Sequence, residues 1–166
     1  MADPGFASPP PNETAIAVIP NVAIKSGFLG LGARQYTVLV TSHRVVFARI
    51  TMQKMKQLVA DARDDAKAAG KGFMGQWGAQ LTAYTAFAQG YLQIPPDQVL
   101  AENEDNFAID RADIRSIRLK AGHEIGDSGT DSADLLIIKT SQKKYKITLT
   151  YGIGPAKQAL ASAGML

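Results

Sequence analysis

Residues 34–50 read RQYTVLVTSHRVVFARI, and this stretch decides the fold. Tyr36, Val38 and Val40 alternate with Thr37, Leu39 and Thr41, the period-2 pattern of a half-buried strand. The polar run Thr41-Ser42-His43-Arg44 follows, and then the apolar run Val45-Val46-Phe47. Two β-branched runs meeting at a polar turn predict a β-hairpin. The rest of the chain then reads as strands added to that hairpin, a helix closing it, and an insert hung from its end.

Upstream, Thr14 to Lys25 is a strand region interrupted at Pro20-Asn21. Proline donates nothing to a ladder, so a bend, a bulge or an edge is expected there. The segment Ser26-Gly27-Phe28-Leu29-Gly30-Leu31-Gly32-Ala33 reads as a glycine-flexed turn carrying large apolar residues. Residues 1–13 are rich in proline and small residues and read as a flexible tail. The rest, 14–166, reads as a single domain.

After Ile50 the period changes. Met52, Met55, Leu58, Val59, Ala62, Ala66 and Ala69 recur at three and four, a helix. Gly70-Lys71-Gly72 breaks it, and a second helix is expected from Phe73 to Leu92, stopped by Pro95-Pro96. This insert spans about 52–96. Strands return at Asn106–Ile109, Ile114–Lys120, Ala133–Thr140 and Lys143–Tyr151. Pro155 then suits the first turn of a terminal helix ending near Gly164. Three strands, a helical hairpin, four strands and a helix give an α+β fold: a seven-stranded antiparallel barrel or sandwich with a C-terminal helix.

The chain has 166 residues, a net charge of +3 and a pI near 9.2. The balance is mildly basic, short of the concentrated charge of a nucleic-acid binder. It has no cysteine and two histidines, His43 and His123. Disulfides, thiolate chemistry and multi-histidine metal sites are excluded. The N-terminus has no basic n-region and no long apolar core, so a cytoplasmic protein is expected, peripheral at most to the inner face of the membrane. The glycines of 27–32 lack the following Lys-Ser/Thr of a phosphate loop. His123, Glu124, Asp127, Asp131 and Asp134 gather in one polar loop without EF-hand spacing and read as a hairpin loop. No nucleophile or acid/base motif stands out, and no enzyme, cofactor or metal is expected.

The hairpin VLVTSHRVVFARI, then NFAIDRADIRSIRLK, DLLIIKTSQKKYKITLT and the terminal helix together resemble a pleckstrin-homology-like domain, of the bacterial and archaeal PH-like and GRAM-like forms. The resemblance implies a binding scaffold for phosphoinositides, peptides or other domains. Lipid-binding members carry basic residues around the first strand-to-strand loop. Lys25 and Arg34 occupy two of those places here, and Tyr36 occupies the third. The 52–96 insert departs from the simple domain.

Three surfaces are candidates for function. From Gly72 to Pro96 there is no charged residue. On a helical wheel Phe73, Trp77, Tyr84 and Tyr91 share one face, with Ala79, Ala83, Ala86 and Gly90 on the opposite ridge. Either the alanine ridge packs on the first helix and the aromatics on the barrel, or the aromatic face binds a protein partner or a second copy. The second surface is Lys25, Phe28, Leu29 and Arg34, where an anionic lipid surface would dock. The third is the set Arg115, Arg118, Lys120, Lys139, Lys143, Lys144 and Lys146, either a solvated face guarding an edge strand or an anionic-ligand surface. The primary expectation is an interaction module working through its helical insert, with peripheral membrane binding as the alternative.

Overall fold

The structure is a computed structural model that describes residues 13–26, 32–70, 72–122 and 133–166, except the side chains at 26, 73, 74, 76, 77, 80 and 81. Strands β1 (Ala15–Ser26), β2 (Gly32–Thr41) and β3 (Arg44–Ile50) form an antiparallel meander. Helices α1 (Met52–Ala68), α2 (Phe73–Gly90) and α3 (Pro96–Ala101) follow, with a 3-10 turn at Tyr91–Gln93. Strands β4 (Phe107–Asp110), β5 (Ile114–Lys120), β6 (Leu135–Thr140) and β7 (Lys144–Leu149) lead to α4 (Ile153–Ser162). The seven strands form one antiparallel sheet in the order β4-β3-β2-β1-β7-β6-β5.

The sheet folds back on itself. Phe107 of β4 and Tyr145 of β7 lie four strand positions apart, roughly 19 Å in a flat sheet at 4.8 Å per strand. Their rings stack with centroids 5.9 Å apart. Inward-facing Val22, Val38, Val40, Val45, Phe47, Leu136, Ile138 and Ile147 meet in the enclosed core, and all are fully buried. Helix α4 adds Ala156, Ala159 and Leu160 to that core. Its end is a glycine cap: Gly164 has φ +67°, and Met165 N–H donates to Leu160 C=O at 2.9 Å. Arg111 donates to the carbonyls of Ala163 and Gly164, tying the helix end to the β4–β5 connection.

The outer face of β1–β3 is apolar as well. Val18, Leu39, Val46 and Ala48 form a second cluster there, covered by Ala88 and Tyr91 from the end of α2 and by Val99 of α3. Helix α2 ends at Gly90, short of the expected Leu92 and ahead of Pro95-Pro96, and Pro96 opens α3, because its fixed φ and missing N–H suit a first helical turn. Thr51 caps α1, its Oγ1 accepting from Lys54 N–H. Ala62 and Ala66 of α1 are buried and, with Ala79, Ala83 and Ala86 of α2, line the seam between the two helices. The β2–β3 turn is held by Thr41, whose Oγ1 accepts from the N–H groups of His43 and Arg44. Glu13 is anchored: its carboxylate accepts from Arg44 at 2.7 Å and its side chain is only 3% exposed. Asp97 takes the same guanidinium at 2.6 Å, fastening α3 to the hairpin.

Candidate functional site

Pairing between β1 and β7 covers Val22–Leu149, Ala23–Thr148 and Ile24–Ile147 and then stops. Beyond Ile24 the two strands part. β1 continues alongside β2, carrying Lys25 opposite Ala33 and Ile24 opposite Arg34. β7 continues alongside β6, carrying Lys146 and Lys144. The parting opens a cleft of about 620 Å³.

Cations surround this cleft. Lys25, Arg34, Lys143, Lys144 and Lys146 line it, and among the described residues no carboxylate does. Arg34 reaches Asp105 at 3.0 Å, but both side chains are well exposed, so the pair holds Arg34 only weakly. Among the described residues none of the four lysines forms an ion pair. The floor is aromatic: Tyr36 meets Phe107 edge-on at 5.6 Å, and Phe107 stacks on Tyr145. Lys143 Nζ sits 4.8 Å from the centre of the Tyr145 ring, a cation–π contact that keeps the ammonium at the rim.

The register extends the charge onto the outer face of β5–β7. Ile117, Leu119, Leu136, Ile138, Tyr145 and Ile147 belong to the enclosed core, so the residues between them face outward. Those are Arg118, Lys120, Lys139, Lys144 and Lys146, interleaved with Leu135, Ile137 and Thr148. Lys139 lies directly opposite Lys144, a like-charge pair that costs stability. Arg115 falls in the register shift between Ile114 and Ser116, where the alternation breaks. The helical insert covers the outer face of β1–β3; no described element covers the outer face of β5–β7.

Lys25 and Arg34 therefore sit together, with Lys143–Lys146 as unforeseen neighbours. Phe28 and Leu29 lie outside the described residues, as do all of 123–132, so that of the acidic set only Asp134 is described. On the insert, Phe73 and Trp77 lie on α2, and their side chains are outside the description. Tyr84 is half-buried beside Met55 and Val59 of α1. Tyr91 is buried on its own sheet, with Phe87 edge-on at 5.4 Å, and its hydroxyl donates to Glu102 at 3.2 Å. Burial, and then the Glu102 charge, push the Tyr91 phenol far above its ordinary value. Burial also raises Tyr84 and Tyr151.

Among the described residues no three His, Asp or Glu side chains gather to hold a metal ion. No described helix is long and apolar enough to cross a membrane. Compared with known proteins, the chain matches no family model, no curated protein and no solved structure.

Proposed function

We propose that this chain is a non-enzymatic binding module of pleckstrin-homology-like architecture that docks on an anionic membrane surface through the β1–β7 cleft. The observation that carries it is the five-cation cleft with no carboxylate among the described residues of its wall. Bringing like charges together from three strands lowers stability, so the arrangement is best accounted for by an anionic ligand. Two further features support it. Seven antiparallel strands closed by a C-terminal helix are compatible with the PH-like barrel, and the cleft lies at the β1–β2 end, where Lys25 and Arg34 match the basic positions of lipid-binding members. The outer β5–β7 face extends the cationic footprint, and Leu135 and Ile137 give it apolar ground. Each cation near such a surface contributes about 1 kcal/mol.

Co-sedimentation with vesicles tests this. The full chain should pellet with phosphatidylserine-containing vesicles at low salt and stay in solution with purely zwitterionic ones. Equal behaviour with both would defeat the proposal.

A second reading, assembly through the helical insert, has one observation in its favour. Met52 is 67% exposed and, with Met55, Val59 and Tyr84, makes an apolar strip along α1 and α2. Light scattering behind size-exclusion chromatography separates the readings, since a strict monomer at high concentration removes self-association.

A further inference from the structure

Helix α1 keeps an apolar strip in the open. Met52, Met55, Val59 and Ala60, with Tyr84 of α2, line a groove of about 360 Å³. Lys56 and Arg63 line it too, and among the described residues no carboxylate does. Met52 and Ala60 are exposed, and Met55, Val59 and Tyr84 are half-buried. The strip recurs at three and four, so it runs along one side of the helix from Met52 to Arg63.

The charges of α1 are sorted by sign around this strip. At about 100° per residue, Lys56, Arg63 and Lys67 lie within about 60° of its centre, and Asp61, Asp64 and Asp65 lie at least about 100° away. Lys54, the remaining cation of α1, is turned away, its Nζ 5.3 Å from the centre of the Phe87 ring. The three strip-side cations are exposed, and among the described residues none forms an ion pair. Arg63 and Lys67 are like charges at i and i+4, an arrangement that costs helix stability in water.

The sorting decides what covers the strip. Two copies packed strip to strip would set Lys56, Arg63 and Lys67 of each against the same cations of the other, with no carboxylate between them. An anionic membrane meets both features. The apolar residues enter the boundary below the headgroups, while the long stems of Lys56 and Arg63 keep their charges among the phosphates. The place fits as well. Helix α1 starts two residues after Ile50, which pairs with Gln35, the chain neighbour of Arg34 in the cationic cleft. The exposed Met52 end of α1 and the cleft's Arg34 therefore share one end of the sheet.

We propose that α1 is an interfacial membrane helix whose Met52-Met55-Val59 strip inserts into an anionic bilayer surface, so that the protein is held by charge at the cleft and by apolar insertion at α1. This rests on the membrane reading above. The chain has no cysteine, so single cysteines carrying an environment-sensitive fluorophore report each side of the helix. With phosphatidylserine-containing vesicles, a label at Met52→Cys should shift to the blue and become shielded from an aqueous quencher, while one at Asp64→Cys should do neither. Met52→Ser, at an exposed position, should keep the fold by circular dichroism and weaken partition roughly 10-fold. Pelleting with a label at 52 that stays aqueous, and partition unchanged by Met52→Ser, would overturn insertion and leave docking through the cleft standing. No pelleting at all would overturn both. A blue shift at 52 without vesicles that grows with protein concentration, together with a dimer by light scattering, would give the strip to a second copy and overturn the proposal.

Discussion

Lys144→Glu should make the protein more stable and a worse membrane binder at once. Lys144 faces outward on β7, directly opposite Lys139 on β6. Reversing its charge turns a cross-strand repulsion into an attraction. Pairs of this kind differ by about 0.5–1 kcal/mol. With a urea m-value of roughly 2 kcal/mol/M, the midpoint should rise by about 0.3–0.5 M. On an anionic vesicle the same change removes one attractive charge and adds one repulsive charge. At about 1 kcal/mol each, that is about 2 kcal/mol, or roughly 30-fold in partition at low salt. Lys146→Glu is the control. Its cross-strand neighbour is Ile137, so binding should fall similarly without the gain in midpoint. Urea denaturation and vesicle co-sedimentation on the same preparations read both effects. A raised midpoint with unchanged partition would refute the membrane role of this face. A lowered midpoint would refute the outward pairing of Lys144 with Lys139.

Three further outcomes follow from the fold. Arg44→Ala strands the buried Glu13 carboxylate and should cost about 3–5 kcal/mol in urea denaturation, far more than a surface pair. Ala66→Leu overfills the α1–α2 seam, where Ala66 is 3% exposed, and should cost about 1–3 kcal/mol by the same measurement. The phenol of Tyr91 is raised in the folded state above its unfolded value of 10.0. Folding then holds its proton more tightly, so that contribution is complete below pH 10 and is lost as pH rises above it. Alkaline absorbance titration should show Tyr91 ionising last, together with unfolding, while Tyr91→Phe removes that late step.

The strand plan was legible because alternation is local. Tyr36-Val38-Val40 and Tyr145-Ile147-Leu149 each show which side is inward without knowing the partner strand. The helical insert was legible for the same reason, from Met52-Met55-Val59 and from the charge-free run after Gly72. Helix α3 was not: Pro95-Pro96 signals both a stop and a start, and six residues carry too few turns for a period to show. The wheel grouped Tyr84 with Tyr91 on one face but could not show which neighbour each meets. The sheet takes Phe87, Ala88 and Tyr91, while Tyr84 borders α1. The cleft was legible only in halves. Lys25 and Arg34 belong to one hairpin and Lys143–Lys146 to another, over 100 residues away, and only three residue pairs between β1 and β7 join them. No local pattern encodes that pairing.

The most direct measurement of the central claim is amide chemical-shift mapping of the full chain against a short-chain phosphatidylserine below its micelle concentration. The perturbed amides should cluster at Lys25, Arg34 and Lys143–Lys146, spread to Leu135 and Ile137, and fade as salt is raised. Shifts confined to Met52, Met55 and Val59, with the cleft silent, would contradict the account.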